Sequence, residues 1–389
     1  MEEVHSVSVN RKAADRVDSG HPWIFASDIV SRGEAGPGEA VTVIDHRHRP
    51  IGTAHYSSTS QIALRLLDRR VITVDRGFYL GRLRAASTYR KSAVIGSDAY
   101  RVVHAEADLL PGFILDRYGD AMVAQFLDQG MDQAAPLLAD CIQELFAPRA
   151  LVARNDVAVR KHEALPVEKK VLAGELDGPV EVHINGLTFH ADLLEGPKTG
   201  VFLDQRENYV AAAQHARGHI LDCFTSSGGF ALHLARRCES LDAVDSSGTA
   251  LETAKRNRDS NGLTNIAFRQ ADVFDLLASY VQSRRRFDMV VLDPPAFAKS
   301  RSNLEAALRA YRDLNLRALK LLGPGGVLVT CSCSHHVSEA QLLEVVAQAA
   351  LEVDRTLRVL ERRSQAADHP VLLTVPETLY LKCIILQVV

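Results

Sequence analysis

The sequence predicts an α/β protein whose C-terminal half is a doubly wound parallel sheet, preceded by a small β-rich module and a small α+β unit. Three observations carry that prediction. From residue 219 onward, short apolar runs alternate with segments of helical spacing, the pattern of strands joined by crossover helices. Two of those runs, FDMVVLDPP at 287–295 and GVLVTCSCSHH at 326–336, begin with unbroken apolar stretches, as strands buried on both faces do. Ahead of residue 73 the period changes to two, in short stretches cut by turn-formers. A chain of 389 residues exceeds what one core usually organises, and we place domain boundaries at 1–72, 73–180 and 181–389.

Composition narrows the class. Hydrophobic residues make up 47% and charged residues 24%, ordinary globular values. No apolar run approaches the ~20 residues that span a bilayer, and the N-terminal sequence lacks an apolar segment of signal-peptide type. The expectation is a cytoplasmic protein with no membrane partner. Six cysteines without a C-x-x-C pair form neither a disulfide framework nor a zinc pattern, so no metal is expected. A net charge of −3 does not advertise nucleic-acid binding, which would have to come from local clusters.

In the first module, strands are predicted at Val4 to Val9, Ala40 to Asp45 and Ile62 to Leu67, with turns at Ser31-Arg32-Gly33 and Gly36-Pro37-Gly38. Basic residues gather here (Arg11, Lys12, Arg16; Arg47, Arg49; Arg65, Arg69, Arg70) around Gly20-His21-Pro22-Trp23-Ile24-Phe25. From charge alone, Trp23 and Phe25 read as core anchors and the arginines as a solvated face. In the second unit, Arg76 to Tyr89 has helical spacing, and Phe113 to Asp116 and Ala121 to Phe126 alternate like a hairpin. Met131 to Phe146 reads as one amphipathic helix and Ala150 to Arg154 as a strand. Glu106 and Asp108, ahead of the turn Leu110-Pro111-Gly112, read as structural. Val180 to Asp192 is a hairpin centred on Asn185-Gly186, the dipeptide that supplies both positive-φ positions of a type I′ turn. It leads into KTGVFLDQR at 198–206, a polar segment. The doubly wound strands are then His219 to Phe224, Ser240 to Asp245, Ala267 to Asp272, Phe287 to Asp293, Gly326 to Cys331 and Leu381 to Val388. Helices fall near Gly229 to Arg237, Thr249 to Asn261, Asn303 to Leu322 and Ser338 to Leu351.

Ligands of open parallel sheets sit outside the carboxyl ends of the strands. LDCFTSSGGF at 221–230 is a strand, a small-residue turn and a helix start, where glycines admit a close ligand and free N–H groups face it. It has neither the dinucleotide G-x-G-x-x-G spacing nor a P-loop lysine. Asp245 ends the second predicted strand, where a carboxylate accepts ribose hydroxyls; Asp272 ends the third, within reach of an adenine amine. Turn and carboxylates together describe a nucleoside-cofactor site, most simply for S-adenosylmethionine, with Asp222, Phe224, Gly228, Gly229, Asp245 and Asp272 as its residues. Asp293-Pro294-Pro295-Ala296-Phe297 ends the fourth strand: the prolines stiffen the loop and Phe297 offers a stacking face, which suits a flipped-out nucleobase. Methylating an exocyclic amine needs only this loop. Methylating C5 of a pyrimidine also needs a thiolate that adds to C6, and Thr330-Cys331-Ser332-Cys333-Ser334 supplies cysteines at the next strand end. Cys331 and Cys333 face the same side if the strand runs through both; if the chain turns, one alone reaches the ligand. Cys141, Cys238 and Cys383 read as small buried hydrophobes.

These residues resemble the bacterial large-subunit ribosomal RNA cytosine-C5 methyltransferases, built from a PUA domain, a small central domain and a class I, Rossmann-like methyltransferase domain. The resemblance runs along nearly the whole chain. It comprises GHPWIF at 20–25, EADLLPGFILDRYGD at 106–120, KTGVFLDQREN at 198–208, LDCFTSSGGFALHLA at 221–235, DPPAF at 293–297, TCSCS at 330–334, QAADHP at 365–370 and PETLYLK at 376–382. It implies S-adenosylmethionine at Gly228, Gly229, Asp245 and Asp272, with Phe202, Asp204, Gln205 and Arg206 lining the pocket. It implies that Asp293 holds cytosine at N3 and that a TCSCS cysteine, Cys333 before Cys331, is the nucleophile. The cysteine that many RNA cytosine-C5 enzymes carry after the paired prolines is replaced by Ala296, so one thiol must serve. His335 stands where a glycine is expected, and is a candidate base for the C5 proton. The resemblance also turns the N-terminal basic module into an RNA clamp, and implies ribosomal RNA as partner and a homodimer. Two rivals stay open: methylation of an exocyclic amine with the cysteines incidental, and a non-catalytic RNA-binding or assembly factor that keeps the fold.

Overall fold

The computed structural model describes residues 4–298 and 300–389. The chain folds into two compact units, the first containing 1–182, 191–201 and 367–378 and the second 183–190, 202–366 and 379–389. Two short segments numbered within 181–389 thus pack with the N-terminal half.

The first unit holds two sheets. Six strands pair in the order Trp23–Phe25, Ile62–Asp68, Pro50–Tyr56, Ala40–Ile44, Ser6–Val9, Ile29–Ser31. Alternating burial in Ser6–Val9 and Ala40–Ile44 puts Val7, Val9, Val41 and Val43 in its core, as the period of two required. Five further strands pair in the order Lys169–Gly174, Ala150–Arg154, Ala121–Phe126, Phe113–Tyr118, Ala99–His104. The single helix expected over Met131 to Phe146 is two, Gln129–Gln133 and Ala135–Phe146. Pro136, lacking an N–H, cannot continue the first helix but is at home in the opening turn of the second. Trp23 Nε1 donates to Glu106 Oε1 at 2.9 Å, and Arg90 pairs with Asp108, so both acidic residues hold structure. Arg16 lies over the Phe25 ring at 4.7 Å.

The second unit is the doubly wound sheet. Its seven strands lie in the order Ile266–Gln270, Ser240–Asp245, His219–Cys223, Phe287–Leu292, Leu322–Ser332, Lys382–Val388, Leu357–Arg363. The first five are parallel; Lys382–Val388 runs antiparallel between its neighbours. Strand order reverses between His219–Cys223 and Phe287–Leu292, and this switch point is where such sheets take ligands. The unbroken apolar runs are the central strands: Met289, Val290, Val291, Leu328 and Val329 are fully buried.

Three elements of this unit differ most from expectation. Leu322–Ser332 begins four residues before Gly326, because Leu322 pairs with Phe287 ahead of an irregularity in the register that accommodates Gly323-Pro324-Gly325. Leu357–Arg363 was not anticipated: as an edge strand paired on one side only, its LRVLERR carries no apolar alternation. Helix Val273–Gln282 was missed too, although Val273, Leu276, Leu277 and Tyr280 recur at helical spacing; Asp272, which accepts from Asp275 N at 3.1 Å, starts it. The hairpin formed as expected, with φ of 51° at Asn185 and 75° at Gly186.

Candidate active site

The turn after His219–Cys223 is an unusual piece of backbone. Phe224, Ser226 and Gly228 all have positive φ, at 65°, 49° and 90°. The chain thus doubles back before helix Gly229–Ala235 and leaves that helix's first N–H groups facing the switch point. Gly229 is required by a close approach: a Cβ there would lie 2.3 Å from Tyr209 Oη. Tyr209 Oη in turn donates to the carbonyl of Phe202 at 3.3 Å, and its ring packs edge-on against Phe230 at 4.8 Å. Beneath the turn His233 donates from Nδ1 to Gly229 O at 2.7 Å and accepts at Nε2 from Asn185 Nδ2 at 3.2 Å, and burial pulls its pKa down to about 4. It holds the helix start as a neutral imidazole.

The carboxylates sort into three environments. Asp222 is buried under the turn, accepts from Thr225 Oγ1 at 2.7 Å through Oδ2, and finds no partner among the described residues for Oδ1. Burial, with a smaller contribution from the nearby Asp293 charge, raises its pKa to about 7, against the pull of Thr225. An orphaned buried carboxylate oxygen beneath a ligand turn invites a donor from a bound molecule. Asp245 closes its strand and accepts from Ser226 N and Ser247 N, both at 2.9 Å, which aims the carboxylate while leaving other lone pairs open. Asp272 lies two residues beyond Ile266–Gln270, exposed, as a helix cap rather than a strand end.

The 198–208 segment does more than line a pocket. Gln205 Nε2 donates to Asp293 Oδ1 at 3.0 Å, and Gln205 Oε1 accepts from Asn208 at 2.7 Å. Asn208 is itself held by Arg363 Nε at 2.9 Å. A relay through two buried amides therefore runs from the edge strand to the DPP carboxylate. Asp204 accepts from Tyr380 Oη at 2.7 Å, Arg206 is buried, and Phe202 is half-buried.

The two loops expected to meet do meet. Leu292 and Thr330 are register partners, so Asp293 and Cys331 leave neighbouring parallel strands at the same level. Ala298 N donates to Ser334 Oγ at 3.3 Å, and Tyr311 Oη bridges Ser332 Oγ at 2.9 Å and Ser334 Oγ at 3.2 Å. Phe297 has one side engaged: its ring tilts against Tyr311 at 4.9 Å and Phe274 at 6.2 Å. Pro294 is buried and Pro295 exposed.

The strand stops between the cysteines. Cys331 is fully buried, paired with Cys383 across Leu322–Ser332 and Lys382–Val388, and burial and Cys383 raise its pKa well above the ordinary thiol value. Cys333 lies beyond the strand end and is partly exposed. His335 keeps much of its surface exposed while its ring lies 5.5 Å from that of Tyr380, and partial desolvation, Lys382 and His336 together lower its pKa. Sequence reading passed over Lys382. It is buried, donates from Nζ to Ser334 O at 2.7 Å and Tyr380 O at 2.8 Å, and its pKa falls to about 8 through burial despite the counter-pull of Cys333. A lysine opening the otherwise apolar KCIILQV strand was the signal. Tyr311 gave none, since it occupies an ordinary buried position of helix Leu304–Leu321.

Comparison with known proteins speaks to the fold and the family. Residues 7–69 match the family model of the PUA-like domain and residues 214–368 that of a methyltransferase domain. The chain is 38% identical over 382 residues to "Ribosomal RNA large subunit methyltransferase I" of Shewanella amazonensis, covering 96% of each chain. It is 39% identical over 380 residues to the protein of that name from Tolumonas auensis, covering 95% of this chain and 96% of the other. Among solved structures, it resembles the methyltransferase SMU.776 complexed with SAH, with a TM-score of 0.86 at 17% identity over 99% of this chain and 100% of the other. A SAM-dependent methyltransferase from Streptococcus mutans gives a TM-score of 0.84 at 18% identity, with 99% and 100% covered. At that identity the two structures speak to fold.

Proposed function

The chain belongs to the ribosomal RNA large subunit methyltransferase I family, and from that premise we propose that it methylates C5 of a cytosine in large-subunit ribosomal RNA. The methyl donor is S-adenosylmethionine, which supplies an electrophilic methyl group. The residues fit it: a glycine turn at a helix start, Asp245 held at the strand end, and the buried Asp222 with its Oδ1 unpartnered among the described residues. Gly228, Gly229, Asp222, Phe224, Asp245 and Asp272 would hold it, with Phe202, Asp204 and Arg206 on the 198–208 side.

The observation that carries the C5 reading is that the DPPAF and TCSCS loops lie side by side at neighbouring strand ends, joined through Ala298, Ser334 and Tyr311. There Asp293, oriented by Gln205, holds a flipped cytosine through a proton shared with N3, which offsets the negative charge that the adding thiolate pushes into the ring. The Cys333 thiolate adds to C6, the activated C5 takes the methyl group, and loss of the C5 proton expels the sulfur. Cys331 is a packing residue in this scheme, because a thiol so buried yields almost no thiolate. The residues 1–72 act as the RNA-binding module ahead of a central domain over 73–180.

The test is transfer of labelled methyl groups to unmodified large-subunit RNA, followed by identification of the labelled nucleoside. Label in 5-methylcytidine, lost in Cys333→Ala while cofactor binding persists, is the expected result. Label in a methylated amine, or full activity of Cys333→Ala, would overturn it.

A further inference from the structure

A cysteine nucleophile works through its thiolate, and an ordinary pKa of about 8.5 leaves only a few per cent of it at neutral pH. Reactive cysteines sit beside a base or a cation that changes this. Such a group stands at the strand end. Ser332 and Lys382 are register partners in the antiparallel pair of Leu322–Ser332 with Lys382–Val388, so Lys382 lies level with the point where the chain turns out toward Cys333. Its Nζ is held from two sides, by Ser334 O at 2.7 Å and Tyr380 O at 2.8 Å, the first of them in the loop that carries the thiol.

We propose that Lys382 is the activating partner of Cys333: its amine takes the thiol proton and remains beside the sulfur as the counter-ion of the thiolate. The inference rests on Cys333 being the nucleophile. In the step the S–H bond breaks and an N–H bond forms, giving a thiolate and an ammonium with no other reactant. The two carbonyl bonds favour this step. A neutral amine has two N–H donors and one lone pair; with both donors committed, the lone pair is the site that gains the proton. The proton arrives without disturbing either bond, so the ammonium is pre-organised where the anion forms.

The surroundings agree. Burial lowers the Lys382 pKa to about 8, the range suited to a base working near neutrality. The charged and titratable groups acting on this corner are Cys333 and Glu339, which favour the ammonium, and His335, whose proton the lysine disfavours. His336 acts on His335 in the same sense. His335, exposed and pushed toward the neutral form, is the poorer partner for a thiolate.

The experiment reads the thiol, not the methyl transfer. The full-length protein is alkylated with iodoacetamide across pH 6 to 10, and the rate at Cys333 is followed by peptide mass spectrometry. Wild-type Cys333 should titrate at least one pH unit below a free cysteine, about tenfold more thiolate at pH 7. Lys382→Met should slow alkylation at pH 7 about tenfold and converge with wild type at pH 10, while Lys382→Arg, which keeps the cation, should stay near wild type at pH 7. An ordinary wild-type titration overturns the proposal, as does a Lys382→Met profile matching wild type, or an arginine variant no better than methionine. If the methionine variant fails to fold, the wild-type and arginine profiles carry the test. A depressed Cys333 titration combined with full activity of Cys333→Ala would instead retire the covalent mechanism and leave the pair standing.

Discussion

Gln205 donates a 3.0 Å hydrogen bond to Asp293 Oδ1 across 88 residues of sequence, tying the segment that leads into the second unit to the carboxylate of the DPP loop. Gln205 is only 2% exposed, and Asn208 and Arg363 hold its other end. A donor fixed in this way gives the carboxylate one direction; without it the carboxylate is freer to turn.

Replacing Gln205 with leucine therefore removes orientation rather than the acceptor itself. Losing a hydrogen bond to a charged group costs about 1–3 kcal/mol. We expect methyl transfer to fall about tenfold or more, with RNA binding by the rest of the protein retained. Steady-state methylation kinetics beside an RNA-binding titration check this; unchanged kcat/KM would remove Gln205 from the site.

The cysteines should behave oppositely. Cys331→Ala deletes a buried sulfur facing Cys383 and leaves the strand end otherwise intact, so it should cost about 1 kcal/mol of stability and keep most activity. Cys333→Ala should lower methyl transfer by about three orders of magnitude or more, as loss of a nucleophile does. Parallel single-turnover assays of both variants decide it, and a dead Cys331→Ala that still melts like wild type would reverse the assignment.

Gly229→Ala introduces a Cβ 2.3 Å from Tyr209 Oη. The tyrosine is packed against Phe230 and His233 and cannot retreat without unpacking them. Destabilisation of about 1–3 kcal/mol follows from overpacking, together with weaker cofactor binding at the displaced turn. Isothermal titration with S-adenosylmethionine and a denaturation curve measure the two effects. Tyr209→Phe in the same background should restore little of either, because the ring carbon Cζ already lies 2.4 Å from the added Cβ.

Asp222 makes apo stability pH-dependent. Its folded pKa of about 7 lies above the ordinary carboxylate value of 3.8, so between those two values the folded chain holds a proton that the unfolded chain has released. Stability is then highest below about pH 4, falls as pH rises to about 7, and is level beyond. Asp222→Asn, uncharged throughout and able to accept from Thr225 through its carbonyl, should flatten that fall. Raising a pKa by one costs the charged form about 1.4 kcal/mol, so without cofactor the variant should gain on wild type by a few kcal/mol at about pH 8 and by almost nothing at about pH 4. Thermal melts at the two pH values read it; an equal difference at both would show that the carboxyl does not titrate in the fold.

The sequence by itself determined the frame and most of the chemistry's cast. Unbroken apolar runs bounded by turn-formers favour strands covered on both faces, and Asn185-Gly186 favours a turn with two positive φ angles. Those are local demands, and the chain announces them locally. The neighbourhood of Asp293 and the TCSCS loop was legible for the same reason: adjacent parallel strands bring their ends together. Leu357–Arg363 was not legible, since an edge strand lacks an apolar face, whereas Val273–Gln282 shows its helical spacing at Val273, Leu276, Leu277 and Tyr280.

What the tertiary structure alone decided is how differently two identical side chains are placed. Cys331 and Cys333 differ by two positions and not at all in chemistry; the strand ends between them, so one is buried against Cys383 and the other is not. The fold likewise decided that Lys382, far along the sequence, is bonded into the loop of the second cysteine, and that Gln205 grips Asp293. It also decided that residues 191–201 and 367–378 join the first compact unit. These relationships are distances between parts far apart in the chain. No local propensity encodes such a distance, because burial and charge pairing are properties of the packed whole.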